Sequence, residues 1–142
     1  MKVSIYWPAV IAAAVAKFVL GALWYSPPLF ASQWAAAVGI NMNTQMDGGE
    51  MAKIFGGSFI AYIVQAYVMV HFVQYAGAKD SKGGAQSGFW LWLGFAAVVV
   101  FQTVLYERRP FNLFFINSGY ELITLLAMGV ILATWKKKQT AA

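Results

Sequence analysis

The chain contains no cysteine, which excludes disulfides, thiolate metal sites, iron–sulfur clusters and a cysteine nucleophile. It has one histidine, His71, so multi-histidine metal sites of the zinc-enzyme kind are excluded too. No phosphate-cradling loop, paired-carboxylate site or metal motif occurs. No metal and no cofactor is therefore expected, and no residue is assigned a catalytic role. Charge is also scarce: five acids and ten bases make up only 11% of the 142 residues. So few charges cannot coat a soluble domain of this length. A net charge of +5 is compatible with nucleic acid, but the bases are spread thinly between apolar runs. Orientation in a lipid bilayer explains them better, and no nucleic-acid partner is expected.

What is abundant is apolar surface, 61% of residues. A hydrocarbon core of about 30 Å takes roughly 20 apolar residues in a helix. Four stretches meet that length: Tyr6–Tyr25, Ala52–Ala76, Gln86–Tyr106 and Asn112–Trp135. Pro8 falls in the first turn of span one, where its missing N–H costs nothing. Pro27–Pro28 and Pro110 stop spans one and three. Asp47 and Glu50 precede span two at a capping-box spacing. Lys17 interrupts the first run and Trp24–Tyr25 ends it, so a span is expected there rather than a cleaved leader.

Four spans place both termini on one side, with Lys2, Lys79, Lys82 and Lys136–Lys138. The other side carries Lys53, Arg108 and Arg109, with Asp47, Glu50 and Glu107 beside them. The bias of bases puts both termini in the cytoplasm. The connections are short except the first external one, Ser26–Met51. There Leu29, Phe30, Trp34, Ala37 and Val38 recur at helical spacing up to Gly39, which reads as a short helix on the outer surface. Residues 1–142 are thus expected to form one all-α transmembrane domain, a four-helix bundle with a short interfacial helix in the first external loop. Ala9, Ala12, Ala13 and Ala16 give span one a small-residue face for close helix contact.

Several motifs fall in order along these spans: Gly21-x-x-Trp24-Tyr25-Ser26-Pro27, then Trp34, then Met51-Ala52-Lys53 leading into span two, then Ile116-Asn117-x-Gly119-Tyr120 in span four. The pattern resembles a bacterial family of four-span membrane proteins catalogued as a domain of unknown function, number 1761. The similarity covers nearly the whole chain. It implies four spans and a bacterial inner membrane, and it brings no activity, substrate or catalytic residue. Lys17 is not part of that family's usual pattern.

Polar side chains inside a span are costly and therefore informative. They are Lys17, Gln65, Gln102, Asn117 and Glu121. At 1.5 Å per residue from the cytoplasmic boundary, Lys17 lies roughly 16 Å deep and Glu121 roughly 21 Å. Opposite charges at neighbouring depths predict an ion pair joining spans one and four. Such a pair commonly fixes packing; a proton or ion relay is the other reading. Asn117, Glu121, Thr124 and Met128 share a face of span four, and Ser58, Tyr62, Gln65 and Met69 one of span two. The two stripes would either glue helices together or line a narrow hydrated cavity. At the outer end, Gln102, Tyr106 and Arg109 fall on one helical side. Arg108 and Arg109 are candidates for an anion or a lipid headgroup, or simply anchor the boundary.

The function expected from these features is that of a non-catalytic, self-associating small membrane protein that binds or passes a small solute or ion. Two alternatives stay open. One is a membrane-embedded enzyme on a lipophilic substrate, using Arg108, Arg109 and Glu121. The other is an accessory subunit of a membrane complex.

Overall fold

Each apolar stretch becomes a helix in the computed structural model, which describes residues 2–135. In chain order these are α1 (Trp7–Trp24), α2 (Ala31–Val38), α3 (Gly48–Tyr75), α4 (Ser81–Leu91), α5 (Val98–Tyr106) and α6 (Asn112–Thr134). A π-helical segment, Trp92–Ala97, joins α4 to α5, so span three is continuous from Ser81 to Tyr106. Four helices are long and apolar enough to cross a membrane, and no strand occurs among the described residues. Lys136–Lys138, part of the inner-side charge count, lie outside the described residues.

Capping groups decide where the spans begin. The Asp47 carboxylate accepts from the backbone N–H groups of Gly49 at 2.7 Å and Glu50 at 2.9 Å. α3 therefore starts at Gly48 rather than at Ala52. Its 28 residues reach about 42 Å, beyond a hydrocarbon core of about 30 Å. The turn carrying Glu50 and Lys53 accordingly projects past that core. The same device moves the start of span three. Asp80 accepts from Gly83 N–H at 2.7 Å, so α4 begins at Ser81 rather than at Gln86. The polar Ser81-Lys-Gly-Gly sequence masked a capped helical turn. α2 ends at Gly39, whose φ of 76° is the left-handed stop that glycine adopts without strain.

α6 is the central helix. Of its apolar window 44% is buried, against 17% for α3 and 17% for span three, and α1, α3 and α4 all pack on it. The tightest contact is α4 on α6. A Cβ at Gly84 would overlap the Gly129 carbonyl oxygen, one at Gly88 the Leu125 carbonyl oxygen, and one at Gly129 the Gly84 oxygen. Gly84-x-x-x-Gly88 has the spacing that lets two membrane helices bring their backbones together. The alanine face of α1 forms a second close contact through Ala9 and Ala13, which are buried, whereas Ala12 and Ala16 are only half covered. α3 leans on α1 and α6, meets α4 only slightly, and makes no extended contact with α5. The bundle is consequently open along one side, between spans two and three.

Three layers stack along the bundle. Val10 and Ala13 of α1, Met69, Val70 and Val73 of α3, and Leu125, Met128 and Leu132 of α6 form a dry core toward the α3–α4 connection. Ala37, Val104 and Leu113 form a smaller apolar cluster at the opposite end, with Trp34, Val38 and Phe114 packed on it. Lys17, Glu121 and several tyrosines lie between the two.

Candidate functional site

α1 and α6 run side by side, which brings Lys17 against Glu121. The Lys17 ammonium donates to both carboxylate oxygens, at 2.9 and 2.7 Å. The lysine side chain is 2% exposed and the glutamate 23%, and that asymmetry defines the site. Lys17 is sealed under the polar layer, held between the ring faces of Tyr62 and Tyr120 at 5.1 and 5.2 Å from their centroids. Cation–π attraction adds to the ion pair there. Glu121 keeps one side open. A carboxylate has about four lone-pair directions, so the lysine leaves some of them free.

That open side faces a cleft of about 760 Å³ bounded by α1, α3, α5 and α6 and roofed by Trp34 of α2. Its polar lining is Ser58, Tyr62, Tyr25, Asn117 and Tyr120 beside Glu121; Phe18 and Phe55 supply aromatic walls. Tyr25 Oη donates to Asn117 Oδ1 at 3.0 Å, which leaves the amide N–H groups of Asn117 available. Tyr120 Oη donates to the Lys17 carbonyl at 3.2 Å and lies 3.3 Å from the Tyr62 hydroxyl. Two indoles position α6: Trp24 Nε1 donates to the Ile116 carbonyl at 3.0 Å, and Trp92 Nε1 to that of Ser118 at 2.8 Å. Gly21 and Gly119 give the space for this, since a Cβ would sit 2.9 Å from Tyr120 Oη at the first and 3.2 Å from the Trp24 ring at the second.

The other residues singled out from the sequence divide. Asn117 joins Glu121 in the cleft. Gln65 does not: with Met69 it lines a separate groove nearer the α3–α4 connection, so the stripe on α3 is split between two cavities. On α6, Thr124 and Met128 are fully buried, and the dry core closes the cleft from below. The two stripes therefore do not line one continuous passage. Gln102 is exposed on α5, apart from both cavities. It also shares no helical side with Arg109, because α5 ends at Tyr106 and Arg108 turns the chain with a φ of 52°. Arg109 folds back, donating to Glu107 at 3.2 Å and to the Val38 carbonyl at 3.0 Å. It pins the C-terminus of α2, where a cation complements the helix dipole. Neither arginine lines the cleft with Glu121.

The sequence placed Tyr62 in the polar stripe of span two, and Tyr25 and Tyr120 in the family motif without a site role. The available signal was register: Tyr120 directly precedes Glu121, and Tyr62 lies one turn from Ser58.

Four helices of this length and hydropathy around a polar layer are those of a multi-pass membrane protein. The chain belongs to the family described as Protein of unknown function (DUF1761), whose sequence profile matches residues 8–133. No curated protein and no solved structure matches it.

Proposed function

We propose that the protein is a non-catalytic, solute-binding membrane protein whose site is the cleft at Glu121. The observation that carries this reading is a mid-span carboxylate whose counter-ion is sealed behind it while its own free side, 23% exposed, faces an aromatic-walled cleft. Free carboxylate lone pairs accept hydrogen bonds, so the solute that fits is a small amphiphile with a donating head, an amine or hydroxyl. Asn117 and Ser58 supply further polar contacts, and Phe18, Phe55 and Trp34 take the apolar part. Because the dry core closes the cleft from below, passage across the bilayer requires a second copy, and self-association belongs to the same reading.

The test is thermal stabilisation of the purified chain by short-chain amphiphiles differing only in the head group. Amine and alcohol heads should stabilise it, and a carboxylate head should not. Charge-assisted hydrogen bonds are worth about 1.5–3 kcal/mol, so Glu121→Gln should weaken binding about 10- to 100-fold. Equal responses to all three heads would refute the reading.

The bilayer proposed is a bacterial inner membrane, with both termini cytoplasmic. Two reciprocal hydrogen bonds tie Ser4 to Gln74 near the end of α3, at 3.0 and 2.6 Å. Lys2, Lys79 and Lys82 therefore gather at one end of the bundle, which supports that orientation. A topology reporter inserted after Gly77 should read cytoplasmic, and one inserted within Asn41–Gln45 should read external; the opposite pair of readings would invert the orientation.

A further inference from the structure

On the same open side, but at the other end of the bundle, two cavities of about 800 and 470 Å³ share Phe72, Leu91 and Phe95 and so form one groove between α3 and span three. Its deep part is apolar except for Gln65 and is floored by Met69 and Leu125. Its mouth is at the α3–α4 connection, where Lys79 and Lys82 border it. Both lysines are exposed, and among the described residues neither ammonium has a hydrogen-bond or ion-pair partner. The one acid beside them, Asp80, is engaged as the cap of α4 through Gly83 N–H at 2.7 Å, and the mouth keeps a net positive charge. From Lys82 to Phe95 the groove runs roughly 20 Å along the helix. A single leaflet with its headgroups is about as deep, half of some 40–45 Å.

We infer that this groove is a binding site for one anionic phospholipid, with an acyl chain laid between α3 and span three and the phosphate at Lys79 and Lys82. Charge and length together select that occupant. Basic pockets between membrane helices hold anionic headgroups, each lysine near the surface contributing, while the apolar wall behind them matches an acyl chain and not a soluble anion. The groove owes its existence to the slight contact between α3 and α4, so a lipid there completes the seam that the protein leaves unfilled. The lysines do not line the Glu121 cleft, and the two sites are independent.

The full chain, purified in a neutral detergent, is titrated with dioleoyl phosphatidylglycerol or dioleoyl phosphatidylcholine, and retained lipid is counted by native mass spectrometry. Phosphatidylglycerol should be retained on the order of tenfold better. Replacing both lysines (Lys79→Gln with Lys82→Gln) should abolish that preference while leaving phosphatidylcholine retention unchanged. Gln86→Trp, at an exposed position on the groove wall, should lower retention of both lipids. No preference in the native chain, a preference that survives the lysine substitutions, or indifference to Gln86→Trp would each overturn the proposal. So would a lipid-free dimer that Gln86→Trp converts to monomer, which would give the groove to a second copy. Amphiphile binding at Glu121 should be unaffected by the lysine variants, so failure of one site is distinguishable from failure of the other.

Discussion

Replacing Lys17 with methionine will destabilise the protein by about 3–5 kcal/mol, the usual cost of leaving one member of a buried ion pair without the other. Lys17 is 1% exposed, so water cannot take over its role toward Glu121. Glu121→Gln should cost less. An amide oxygen can still accept from the lysine, and the ring faces of Tyr62 and Tyr120 stay against the ammonium. The double variant should recover much of the loss, because a methionine beside an amide needs no counter-charge. A double-mutant cycle in detergent, read by thermal or denaturant unfolding, measures the coupling; strictly additive losses would mean that the two residues act independently. The cycle also separates structure from binding. A stable double variant that no longer binds amine-headed amphiphiles supports the Glu121 site. One that binds them as well as the native chain leaves the pair a purely structural element.

An added methyl at Gly84 or Gly88 should be at least as damaging as the loss of Lys17. The atoms a Cβ would overlap are the carbonyl groups of Gly129 and Leu125, which belong to the α6 backbone and cannot rotate aside like a side chain. Overpacking typically costs about 1–3 kcal/mol where side chains can adjust, and here whole helices would have to separate. Gly84→Ala and Gly88→Ala should each lower the melting temperature sharply or prevent isolation of folded protein. Gly57→Ala is the control. A Cβ there meets nothing within 4 Å, and the higher helix propensity of alanine should leave stability unchanged or raise it. Equal behaviour of all three variants would show that α4 and α6 are not in backbone contact.

These two contacts differ in how far the sequence revealed them. Lys17 and Glu121 stand out because charge is rare in apolar runs, and counting rise per residue sets them at neighbouring depths. The Gly84–Gly88 contact was half hidden by the same hydropathy logic, which began span three at Gln86 and left Gly84 outside it. Span positions were legible because length and apolarity are properties of single segments. The end of α2 was legible for a related reason, since Gly39 marks it locally. The opening between spans two and three was not, because it depends on which helices fail to touch, and no single segment encodes that. Gln102 shows the limit of reading polarity alone: its helical position says that it faces one side, and only the packing of α5 says that this side is the exterior. Arg109 shows another, since a turn at Arg108 carries it out of the helical register that relates it to Gln102.

The central place of α6 has a consequence for biogenesis. It is the last of the four spans to leave the ribosome, yet α4 finds its main partner in it and Lys17 its one counter-charge among the described residues. The α1–α3 hairpin has contacts of its own and can associate early, but until residues 112–134 are inserted, a lone ammonium waits in the hydrocarbon and span three has little to rest against. Nascent chains are released at about 5–20 residues per second, so that exposed interval lasts seconds. Chains that stall within it should be the natural substrates of membrane quality control.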